Sequence, residues 1–163
     1  MPLTTDTSNT SLSWDVSEGH ELERVGWPPN HDSDTFHLSD VVVTIKVSDT
    51  VTLENWVASN VYVTQNLQAP THIQTIMIRS QPLTLEEAYA EALRLADLMA
   101  LPKERIEQWY QERLVKGQSG FEQVNFIATR NDLEPALTLE SAVSFNDEKP
   151  WILSLSVFWK DAN

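Results

Sequence analysis

The stretch Trp151-Ile152-Leu153-Ser154-Leu155-Ser156-Val157-Phe158-Trp159 constrains this chain more than any other. Trp151, Leu153, Leu155, Val157 and Trp159 fall on one face of an extended chain and two serines fall on the other. A period of two is the mark of a strand with one face in a core and one facing out. Such a strand requires neighbours and a layer to cover its apolar face, so the chain is expected to build a sheet with something packed against it.

Five other segments read as strands. Val41, Val43, Ile45 and Val47 alternate with Val42, Thr44, Lys46 and Ser48. Trp56 to Thr64 is β-rich, and a third segment runs around Ile73 to Arg79 after the break at Pro70. Later, Val124, Phe126 and Ala128 alternate, and Leu137, Leu139, Val143 and Phe145 share the parity of one strand face. Asn146-Asp147-Glu148-Lys149-Pro150 is a polar turn that joins this strand to Trp151–Trp159 as a hairpin.

Two helices divide these strands. Thr84-Leu85-Glu86-Glu87 is a capping box: the Thr84 hydroxyl can accept from the Glu87 N–H while the Glu87 carboxylate reaches back. Leu85, Ala88, Tyr89, Ala92, Leu95, Ala96 and Met99 then recur at helical spacing. Pro102 ends that helix and suits the first turn of another, in which Ile106, Trp109, Tyr110 and Leu114 share a face and Gly117 is the stop. The expected class is α+β: about six antiparallel strands in the order β-β-β-α-α-β-β-β, with a helical hairpin on one face. Residues 39–163 are expected to form this single domain, and residues 1–38 a polar acidic arm.

Charge narrows function. Of 163 residues, 24 are acidic and 11 basic, a formal net charge of −13. Nucleic-acid binding relies on Lys and Arg displacing counterions, so no nucleic-acid partner is expected. Docking on anionic lipid is excluded on the same ground. The excess is local, because residues 1–40 hold eight acids against the single base Arg24. An acidic segment of this kind suits a basic protein partner.

Catalytic signatures are absent. The chain has no cysteine, hence no disulfide framework, thiolate nucleophile or cysteine zinc site. Its four glycines cannot compose a phosphate-cradling loop. No serine lies in GxSxG or SxxK. His31, Asp32, Asp34 and His37 are the one His/carboxylate cluster, but they lie in a turn-rich loop after Trp27-Pro28-Pro29-Asn30 whose spacing fixes no ligand geometry. Glu86, Glu87 and Glu91 crowd a helix start, where cap and dipole account for them. No metal, cofactor or catalytic residue is expected.

The C-terminal half carries a resemblance. Two helices joined at Leu101-Pro102 with Trp109-Tyr110, then Phe126, Arg130-Asn131-Asp132 and Pro135, then Ser144-Phe145-Asn146-Asp147-Glu148-Lys149-Pro150-Trp151 resemble a group of small proteobacterial proteins. Many of these are lipoprotein-like and are encoded beside secretion-system effectors. The resemblance spans roughly residues 80–160, implies an immunity protein for an antibacterial effector, and transfers no catalytic residue.

The first expectation is therefore a non-enzymatic protein that neutralises a cognate toxin by stoichiometric binding. A secretion chaperone or adaptor for an effector is the alternative, and a hydrolase with an unrecognised site the third. Asp32 and Asp34 on the proline-rich loop, and Asp147 and Glu148 on the last turn, are the candidate partner contacts. With Met1 as the native start the chain is expected in the cytoplasm, and with a leader removed it is expected in the periplasm or lipid-anchored. No run approaches the roughly 20 apolar residues of a membrane span. Oligomeric state is left open.

Overall fold

The structure is a computed structural model, and it describes residues 11–23, 35–69, 71–117, 124–132 and 134–160, with 35–39 and 124–126 described by backbone alone. The order is β1 (Ser11–Asp15), β2 (Thr35–Lys46), β3 (Thr52–Gln65), β4 (Ile73–Ser80), α1 (Leu85–Met99), α2 (Lys103–Lys116), β5 (Val124–Arg130), β6 (Ala136–Val143) and β7 (Trp151–Phe158). The α+β class is as read from the sequence, with the helical hairpin between two sets of strands.

The sheet differs from expectation in count and direction. It has seven strands in the order β1-β2-β3-β4-β7-β6-β5. Six strands make antiparallel pairs, while β1 lies parallel to β2. The added strand comes from the segment expected to be an arm. Leu12 and Trp14 alternate with Ser11, Ser13 and Asp15, and both apolar side chains are buried. Period-2 burial of two residues suffices for a short edge strand. Residues 20–22 are also docked: Leu22 N–H donates to Thr71 O at 2.8 Å and Ile73 N–H to His20 O at 2.8 Å. His20 Nδ1–H donates to Ile73 O at 2.7 Å, and its ring stacks on Trp159 with centroids 4.7 Å apart. Strand β2 starts at Thr35, earlier than the Val41 start read from alternation.

β7 lies between β4 and β6, so both of its edges are hydrogen-bonded. Its alternation has the expected result. Trp151, Leu153, Leu155 and Val157 are buried against the helices, and Ile152, Ser154, Ser156 and Phe158 line the opposite face. Antiparallel sheets commonly cover one face and leave the other open.

The helices form for the reasons given by the sequence. Glu87 N–H donates to Thr84 Oγ1 at 3.1 Å, and Thr84 N–H donates to Glu87 Oε2 at 3.3 Å. Helix α1 buries Ala88, Ala92, Leu95, Ala96 and Met99, and α2 buries Ile106 and Trp109. Between them, Ala100 closes α1 in the left-handed region at φ 52°. Trp109 Nε1–H donates to Ser141 Oγ at 3.0 Å and meets Trp151 edge-to-face at 5.9 Å, which fastens α2 to the sheet. Thr84→Ala is expected to cost about 1 kcal/mol, read as a lower urea midpoint with unchanged slope.

Three residues expected on apolar faces are exposed instead: Leu114 at the end of α2 (51%), Val143 at the end of β6 (39%) and Phe145. Phe145 shares its parity with Leu137 and Leu139, which are fully buried, yet β6 ends at Val143 and Phe145 is 107% exposed. The ladder stops because Ser144 already belongs to the turn.

Candidate functional site

Among the described residues the turn between β6 and β7 is the most conspicuous surface feature. Ser144 N–H donates to Pro150 O at 2.7 Å, which closes the turn at its base. Asn146 N–H donates to Ser144 Oγ at 3.0 Å, and Asn146 Oδ1 accepts from Glu148 N–H at 3.0 Å and Lys149 N–H at 3.1 Å. Asn favours this role because its short side chain reaches the backbone two and three residues on. Below the turn, Leu83 and Trp151 exchange both backbone hydrogen bonds, at 2.7 and 2.9 Å. Lys149 Nζ lies 3.6 Å from Glu87 Oε1, so the capped start of α1 also holds the turn.

This bracing leaves three side chains outside. Phe145 is wholly exposed, and Asp147 and Glu148 beside it are exposed. Neither carboxylate has an ion pair among the described residues, because the neighbouring Lys149 is turned back to Glu87. The result is a wholly exposed aromatic ring beside two uncompensated negative charges, on a backbone already ordered. An ordered turn loses little entropy on binding. Aromatic side chains in such positions are the usual centres of binding energy.

The structure thus brings together Asp147 and Glu148, two of the four expected contacts. Asp32 and Asp34 lie outside the described residues, as do His31 and the side chain of His37, so that cluster is not placed. Phe145 was the residue missed. Its parity with a buried strand pointed inward, whereas its place directly before Asn146-Asp147 was the signal that it lies beyond the ladder.

Several titratable residues on the helices have identifiable partners. Glu87 caps α1, and Glu91 is held by Arg94, whose Nε–H donates to it at 3.1 Å. That contact holds the Arg94 guanidinium above its usual range. Tyr89 stacks on Tyr110 at 4.0 Å and donates its hydroxyl proton to Glu107, and this hydrogen bond raises its pKa. Among the described residues no group of three or more His, Cys, Asp or Glu is arranged to hold a metal ion. No helix among them is long and apolar enough to cross a membrane.

Among the described residues Glu140 is the one carboxyl raised above the usual range, and the cause is its burial. Its sign follows from linkage. The folded chain binds this proton at higher pH than the unfolded chain, so ionised Glu140 opposes folding above the raised value, and that penalty fades as pH falls through it. Glu140→Gln is expected to raise stability at neutral pH in dilute solution and to flatten the pH dependence at mildly acidic pH. Urea unfolding at a series of pH values checks this.

Comparison with protein-family models, curated proteins and solved structures returns no match.

Proposed function

We propose that this chain is a non-enzymatic immunity protein that neutralises a cognate antibacterial effector toxin by one-to-one binding. In this reading the β6–β7 turn enters a basic groove on the toxin. The observation that carries the reading is Phe145, wholly exposed on a braced turn beside Asp147 and Glu148. A solvent-exposed Phe ring has no stabilising role in the fold, and a covered one contributes strongly to an interface. The flanking carboxylates supply long-range attraction to a basic groove and reject acidic surfaces. The overall charge of −13 favours the same class of partner.

The test is purification from the native host followed by identification and assay of the bound protein. The expected result is a single effector whose toxicity or enzymatic activity is suppressed in the complex and returns on separation. Recovery of the chain with no bound protein, from cells that express the effector, contradicts the proposal.

A further inference from the structure

The open face of the sheet carries a charge pattern that complements itself. Arg79 on β4 and Glu140 on β6 both lie opposite Ser154 of β7, one on each side. With strands about 4.8 Å apart, the two charged residues stand roughly 10 Å apart on one row across the sheet. Neither side chain has an ion pair or side-chain hydrogen bond among the described residues. The adjacent rows repeat the arrangement around β7. Met77 and Thr138 flank Ser156, and Thr75 and Ala136 flank Phe158, which is 37% exposed. The helices lie on the other side, so no described helix covers this face.

We propose that this face is the interface of a two-fold dimer, in which a second copy of the chain packs its own open face against it about an axis running along β7 over Ser154. Rotation about that axis exchanges left and right across β7 while preserving strand direction. Arg79 of each copy then meets Glu140 of the other, which is the reciprocal pairing of an isologous interface. The accessible residues of β7 meet their own counterparts, Ile152 on Ile152, Ser156 on Ser156 and Phe158 on Phe158, while Ser154, only 5% exposed, lies beneath the axis between the flanking Arg79 and Glu140. Apolar contacts thus form at both ends of the axis, with small polar contacts between. An axis running across the strands would instead set Arg79 on Arg79 and Glu140 on Glu140, and like charges in contact disfavour that pose.

The geometry is that of an aligned β-sandwich, with sheets about 10 Å apart. The desolvation that burdens Glu140 in the single chain is offset when a guanidinium faces it. The face spans roughly 24 Å across five strands and 17 Å along them. That is about 400 Å² per copy in plan, small for a specific interface, so the dimer is reversible and depends on concentration. Because the axis preserves strand direction, both β6–β7 turns project from the same end. The inference does not rest on the proposed function, but the dimer would present two such turns together and gain avidity toward a paired or repeated target.

Sedimentation velocity over a range of about 2–200 μM tests the interface. The expected result is a monomer–dimer equilibrium for the native chain, a shift to monomer for Arg79→Glu and for Glu140→Arg, and restored dimer for the double exchange. A native chain monomeric throughout, or a double exchange that folds yet associates no better than the single variants, overturns the proposal. Should a charge reversal fail to fold, cross-linking decides. The chain has no cysteine, so Ser156→Cys introduces a single thiol at the axis. A short bis-maleimide is expected to link two copies at Ser156→Cys much faster than at Gln108→Cys on the exposed side of α2, and equal rates would overturn the interface.

Discussion

Phe145→Ala is expected to leave the fold intact and to abolish most of the affinity for the partner protein. The ring is wholly exposed, so its loss removes no core contact and stability is expected to change by less than about 0.5 kcal/mol. In a complex the same ring would be the central apolar anchor, whose truncation typically costs about 2–4 kcal/mol, or roughly 30- to 1,000-fold in Kd. The pairing of these outcomes is what makes the variant informative. Paired urea denaturation and calorimetric titration against the co-purified effector read both quantities on one preparation. Joint replacement of Asp147 and Glu148 by Asn and Gln is expected to act differently. It slows association and flattens its salt dependence, because rim charges govern encounter more than residence.

Trp109→Ala is the substitution expected to damage the fold most. Trp109 is one of two buried residues on α2. It holds that helix through the indole hydrogen bond to Ser141 and the edge-to-face contact with Trp151. Alanine leaves a cavity and an unpartnered buried hydroxyl, for an expected loss of about 3–5 kcal/mol. Against the 5–15 kcal/mol that holds a typical domain, this approaches unfolding. Trp109→Phe separates the two contributions: it keeps an aromatic ring and removes the donor, and is expected to cost about 1–2 kcal/mol beyond any repacking. Denaturation followed by far-UV dichroism reports both, with loss of helical signal in the alanine variant marking detachment of α2.

Elements whose own residues dictate their conformation were legible in the sequence. The capping box at Thr84, the apolar stripe of α1, the break at Pro102 and the alternation of β7 all rest on contacts within a few residues, and the structure has each of them. What was not legible depends on distant pairing. Strand β1 is two buried residues, Leu12 and Trp14, in an acidic, hydroxyl-rich context, and its strand character comes from the partner β2 rather than from composition. The insertion of β7 between β4 and β6 is also non-local, since antiparallel order permits other neighbours for the same alternation pattern. Phe145 shows how parity misleads at a strand end. Alternation assigns a face only while the ladder continues, and Ser144 and Asn146 terminate it. Asp147 and Glu148 were legible as turn residues, but the exposed ring beside them, which turns two solvated acids into a candidate contact, needed the structure.

The proposed immunity function requires the protein to act by occupying its target rather than by turning it over. The most direct measurement is the residual activity of the co-purified effector as the purified chain is added in increments. The expected result is a linear fall that reaches zero at one protomer per effector molecule, with Phe145→Ala failing to inhibit at the same ratio. Inactivation by amounts far below one protomer per effector, or full effector activity in the presence of excess chain, would contradict it.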